Sequence, residues 1–155
     1  MGRFFIKRRY SHRQTTPKRT ETVDHGKDPF VVDIENATIN NDNFRTTIWT
    51  GTYLQSTLMK LKVGEDIGLE IHPHTDQFLR IEKGNGIVEM GSTQNNLSFK
   101  KSVADGDAIF VPAGTWHNLT NVGKNPLHLY SIYAPPHHMP GTVHPTKEDA
   151  MEEEF

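Results

Sequence analysis

The chain has 155 residues, enough for one domain with a core of its own. Apolar residues make up 34% and charged residues 23%, with twelve glycines and nine prolines. That profile excludes a coiled coil, a collagen-like chain and a membrane-spanning helix. Cysteine is absent while histidine occurs nine times. A disulfide framework and a cysteine-based zinc finger are therefore excluded, and any metal must be held by nitrogen and oxygen donors.

The net charge of −2 hides an asymmetry. Residues 1–20 carry seven Lys/Arg and no acid, leaving ten bases against nineteen acids in the rest. This start lacks the apolar run of a secretory signal, and Ile6 breaks a myristoylation pattern. Residues 1–25 read as a disordered basic arm, with the cytoplasm as the default location and no membrane partner; nucleic-acid binding through the arm is the weaker reading, because the remainder is acidic.

From Phe30 onward, short β-prone runs alternate with turn chemistry. The runs FRTTIWTGTY, STLMKLKVG, GLEIH, QFLRIE, GIVEM, LSFKKSV, DAIFVP, HNLTNV and PLHLYSIYAP are separated by KVGED, EKGNG, GSTQNN, ADGD, PAG and VGKNP. Eight or more strands at this spacing predict an all-β antiparallel barrel or jelly roll over residues 26–135. Residues 136–155 read as a loop and a short helix, where Thr146 and Asp149 have capping-box spacing before AMEEE.

Two blocks carry chemistry. In GDAIFVPAGTWHNLTN, Pro112 and Gly114 force a reversal after a buried strand, and His117 emerges on short, rigid backbone. Upstream lies GLEIHPHTDQFLRIE. Strand alternation places Glu70, His72 and His74 on one face, and Gln77, Leu79 and Ile81 on a second shared face. Further on, His137, His138 and His144 read either as a lid over the barrel mouth or as a surface loop. Phe78, Trp116, Tyr130 and Tyr133 read as core or pocket wall.

The spacings Gly64-x5-Glu70-x-His72-x4-Gln77-x6-Gly84 and Gly106-x5-Pro112-x-Gly114-x2-His117-x3-Asn121 resemble the two motifs of the cupin superfamily over residues 50–135. The second motif matches at each defining position, whereas the first has Glu70 and Gln77 where cupins usually carry His and Glu. The resemblance implies a small barrel with one divalent metal per chain on Glu70, His72, Gln77 and His117, with His74 the rival to Gln77. The oxygen-rich set favours manganese or iron, followed by zinc or nickel.

Small cupins of this kind resemble isomerases of the mannose-6-phosphate type. In that reading the metal polarises a carbonyl of a small oxygen-rich substrate and His74 moves the proton. A metal-dependent oxygenase and a non-catalytic small-ligand binder are the alternatives. The motifs bring no Lys/Arg cluster that would grip a phosphate. The resemblance also implies a homodimer, to which the segment before Trp49 would contribute an edge or swapped strand.

Overall fold

The structure is a computed structural model that describes residues 23–153, so all but the last three residues of the expected 1–25 arm lie outside the described residues. Among the described residues the chain forms two helices and nine strands. Helix α1 spans Ile34–Asn40 and is followed by β1 (Arg45–Thr50), β2 (Gln55–Leu61), β3 (Asp76–Lys83) and β4 (Asn85–Gly91). Then come β5 (Phe99–Ala104), β6 (Ala108–Val111), β7 (Trp116–Asn121), β8 (Leu127–Ala134), β9 (Val143–His144) and helix α2 (Lys147–Glu152). No described helix is long and apolar enough to cross a membrane.

Strand pairing builds a six-stranded sheet in the order β6-β3-β8-β2-β1-β9 and a three-stranded sheet in the order β5-β4-β7. Residues 64–70 extend the smaller sheet along β7. Ile67 N donates to Leu119 O at 3.0 Å, and Asn121 N donates to Glu65 O at 2.9 Å. All the expected strands form except GLEIH, which is bridged to β7 only at Glu70, with a second bridge at Asp66 just before it.

Period-two alternation decides which side chains meet between the sheets. On β3, Gln77, Leu79 and Ile81 are buried while their neighbours Asp76, Phe78 and Arg80 are not. Register then aligns inward rows across the large sheet. Met59 faces Leu129, and Leu129 faces Ile81. One step nearer the other end, Thr47 faces Thr57 and Thr57 faces Ser131, while Gln55 faces Tyr133 and Tyr133 faces Gln77. The interior is therefore graded. One end is apolar, with Leu61, Ile81, Leu127 and Leu129 fully buried, each worth about 1.5–3 kcal/mol of transfer free energy. The other end is polar, and the functional site lies there.

Three features outside residues 44–135 complete the barrel. Helix α1 is absent from the sequence-based expectation because IENATIN has weak intrinsic helix propensity. Asp33 caps it by accepting from Asn36 N at 3.1 Å, and it packs on β2, β3 and β8, so docking rather than propensity holds it. Helix α2 forms where expected, with both halves of the Thr146–Asp149 capping box present. Strand β9, in the stretch expected to be loop, pairs with Arg45 and Thr46 of β1. β1 therefore has neighbours on both sides, and the outer edges of the large sheet are β6 and β9.

Candidate metal centre

The site begins at the turn between β6 and β7. Gly114 takes φ +76° there, a region open to glycine at little cost, and Thr115 N closes the turn on Pro112 O at 3.2 Å. The same turn is tied to the upstream block, since Gly114 N donates to His72 O at 2.9 Å. Two residues on, Glu70 and His117 exchange both backbone bonds: Glu70 N to His117 O at 3.1 Å and His117 N to Glu70 O at 2.9 Å. Residues paired this way sit side by side, so the ladder itself brings the two side chains together. Asp66 anchors the segment further by accepting from Asn118 Nδ2 at 2.8 Å and pairing with Lys147 of α2.

Three side chains converge. His72 Nε2 lies 3.3 Å and His117 Nε2 3.4 Å from Glu70 Oε1, and the three candidate ligand atoms all fall within 4.8 Å of one another. Both histidines are buried, and the carboxylate is partly so. His117 Nδ1 donates to Thr115 O at 3.0 Å, which orients the ring with Nε2 towards Glu70. Burial works to raise the Glu70 pKa, but the facing His117 and His72 outweigh it and hold the carboxyl well below the usual carboxylate range.

These residues fit a divalent cation. His117 Nε2, both ring nitrogens of His72 and Gln77 Oε1 are buried without a hydrogen-bond partner. Each such group costs about 1–3 kcal/mol when left unsatisfied, and two of them, the Nε2 atoms of His72 and His117, face the Glu70 carboxylate, a costly arrangement without a ligand. Gln77 sits on β3 opposite Tyr133, its Nε2 donating to Ser131 Oγ at 3.3 Å while Oε1 stays free. Two imidazole nitrogens and a carboxylate oxygen, with an amide oxygen unspent on the inner face, form a borderline-hard donor set.

The cupin domain profile matches residues 57–133, from β2 through nearly all of β8. YrkC of Bacillus subtilis, an uncharacterized protein, is 62% identical over 128 residues, which cover 83% of this chain and 69% of that one. The chain belongs to the cupin family. A crystal structure of a Bacillus halodurans protein is 62% identical to this cupin, with a TM-score of 0.83 over 84% of this chain and 98% of the other. The uncharacterized protein L612 of Acanthamoeba polyphaga mimivirus is 42% identical over 115 residues, which cover 74% of this cupin and 70% of that chain.

The cupin barrel treats the remaining histidines differently from the expectation. His74 does not share a strand face with His72. Pro73 and His74 form an exposed turn between Glu70 and β3, because proline lacks the N–H a continuing ladder would need. His137 comes to the site instead, its ring centroid 4.0 Å from that of His72. His138 follows, with Nε2 at 3.3 Å from Tyr133 Oη.

A residue without any motif holds this loop. Gln55 accepts from His137 N at 3.0 Å and His138 N at 2.8 Å, and donates to His138 O at 2.8 Å and Thr50 Oγ1 at 3.1 Å. The available signal was its place in β2, an amide on the inward-facing set with Thr57 and Met59. Phe78 and Tyr130, expected as core or wall, lie on the outer face of the large sheet, whereas Tyr133 packs edge-on to His72 at 5.7 Å.

His138 is expected to make the cupin acid-sensitive. Burial pushes its imidazole down to about 2, aided by the charges of Arg45 on β1, His137 and His144 on β9, and opposed by Glu70. Tyr133 on β8 is its neutral neighbour. Because the folded value lies below the unfolded one, the unfolded chain takes the proton first. The contribution is complete above pH 6.5 and declines as pH falls from there towards 2. Urea unfolding at pH 7 and pH 5 is expected to show up to about 2 kcal/mol more loss in the wild type than in His138→Gln. Equal losses in the two proteins would contradict this.

Proposed function

We propose that this cupin holds one divalent cation on Glu70, His72 and His117, manganese or iron ahead of zinc or nickel, and acts as an isomerase on a small oxygen-rich molecule. The observation that carries the reading is the pair of orphaned, buried Nε2 atoms of His72 and His117 beside the Glu70 carboxylate. A bound cation would supply Lewis-acid polarisation of a carbonyl or hydroxyl oxygen. The chain's own residues supply the rest. Gln77 offers a free amide oxygen to the ligand or to the cation's surroundings. Tyr133 walls the interior, fully buried, and helps keep water from the reacting centre. His137, beside His72 at the mouth, is the basic group placed to carry a proton to or from the ligand, in the role expected of His74.

The homodimer belongs to the same proposal. Phe78 and Phe110 of edge strand β6 pack edge-to-face at 5.2 Å, Phe110 is 70% exposed, and with Ile132 they line an outer groove of about 330 Å³. The β6 edge, unpaired among the described residues and flanked by apolar rings, supports pairing with a second copy through β6 rather than through β1.

The test is turnover. Metal-loaded protein is incubated in D2O with a panel of unphosphorylated aldoses, ketoses and hydroxy acids, and solvent deuterium entering the carbon next to the carbonyl is followed by NMR. We expect exchange without oxygen uptake, reduced about 100-fold or more in His137→Ala and little changed in His74→Ala. Oxygen consumption would replace the isomerase by an oxygenase. Ligand-dependent melting shifts with no exchange would make the protein a binder.

A further inference from the structure

Arg45 is a buried cation that the metal site does not use. It is 3% exposed and lies on the inward face of β1, opposite Met59, in the same row set as Thr47. A buried guanidinium is costly unless a carboxylate or phosphate takes its fork of donors. Among the described residues Arg45 has no carboxylate within ion-pair distance. Its Nη1 donates to His144 Nδ1 at 3.1 Å, and His144 Nε2 in turn donates to Glu153 Oε2 at 2.5 Å, so acidic compensation reaches it only through an imidazole. Its Nε is buried and unpartnered, as is the hydroxyl of Thr47 two residues along the same face.

The position of this charge relative to the triad follows from ring contacts. His144, which receives the Arg45 bond, is 6.5 Å from His138. His138 is 5.1 Å from Tyr133, and Tyr133 is 5.7 Å from His72. His144, His138 and Tyr133 thus link Arg45 to the Glu70–His72–His117 corner within one barrel interior. Such an interior suits a ligand with an anionic end and an oxygen at the other.

We infer that Arg45, with Thr47 beside it, is a carboxylate-binding subsite, and that the ligand is a small carboxylic acid whose hydroxyl or carbonyl oxygen reaches the Glu70–His72–His117 corner. The carboxylate contact stands on Arg45 alone, whereas the second contact rests on the metal reading above. The ligand then needs no phosphate, and one buried arginine suffices where a cluster of basic residues is missing. Bidentate recognition by the guanidinium would also select acids over amides of the same shape.

The test uses glycolate, 3-hydroxybutyrate and 4-hydroxybutyrate, each against its uncharged amide, with binding read by calorimetry on metal-loaded and metal-stripped full-length protein. We expect at least one acid to bind about 10-fold or more tighter than its amide in both forms, with dependence on chain length only in the metal-loaded form. Arg45→Met should abolish the acid-over-amide preference, and Arg45→Lys should restore only part of it. Equal binding of acids and amides by the wild type would overturn the subsite, whether or not either variant folds. A preference that survives in Arg45→Met would overturn it as well. Acid preference in the absence of any metal effect would instead retain the subsite and remove the metal reading.

Discussion

Purified without chelator, the protein is expected to carry about one divalent metal ion per chain, and His72→Ala or His117→Ala to abolish it. The expectation rests on how few donors converge. The two Nε2 atoms and Glu70 Oε1 are the inner set, so losing either imidazole leaves a pair too weak to compete with water. The affinity loss should exceed the roughly 10–100-fold that removal of a mere supporting hydrogen bond costs. Gln77→Leu, which removes a free amide oxygen from the adjoining face, should cost less, about 10-fold. Elemental analysis of the purified protein, followed by titration of the stripped protein with manganese, iron(II) and zinc, reads both quantities. The metal-free variants carry a second signature. Neither ring nitrogen of His72 makes a hydrogen bond, and its one polar neighbour is Glu70 at 3.3 Å, so His72→Leu should change the melting temperature of stripped protein by no more than a few degrees. A wild type that takes up no metal, together with a destabilised His72→Leu, would make the triad a structural cluster.

Gln55→Leu is expected to destabilise the protein by about 3–5 kcal/mol and to lower its melting temperature by roughly 10 °C or more. The side chain is fully buried and spends its whole hydrogen-bonding capacity on two segments, the end of β1 and the 137–138 loop. Replacement by an apolar group of similar size strands two backbone N–H groups and a backbone carbonyl, while the Thr50 hydroxyl keeps its bond to Asp24 Oδ2. The loop carrying His137 should then become a protease target in the native state, while the triad, held by the β7 ladder, keeps its metal. Chemical denaturation, limited proteolysis and metal analysis of one preparation separate these effects. A loss below 1 kcal/mol, or no new cleavage near residue 137, would mean that other contacts position the loop.

The strands were legible because their signals are local. Alternation in QFLRIE and the turn residues of EKGNG and ADGD lie within a few residues of what they specify, and β3 to β6 form there. The same holds for α2, whose capping box is complete within four residues. Motif spacing also brought out Glu70, His72 and His117, since two hydrogen-bonded neighbours and a third residue two positions away need little more than strand register. His74 misled for a local reason as well. Alternation assigns it to the His72 face only while the strand continues, and Pro73 ends the ladder.

The rest depends on partners far apart in the chain. Arg45 and Gln55 could be assigned to an inward face from alternation, but their contacts come from His144 and His138, 99 and 83 residues away. Helix α1 exists because a sheet face is available to dock on, which weak propensity cannot announce. Fold class, strand periodicity and the three convergent donors are thus properties of short stretches of this sequence. The graded interior, the loop that brings His137 to His72 and the buried charge of Arg45 were decided only when the barrel closed, because closure alone takes these groups out of water and sets which of them lack a partner.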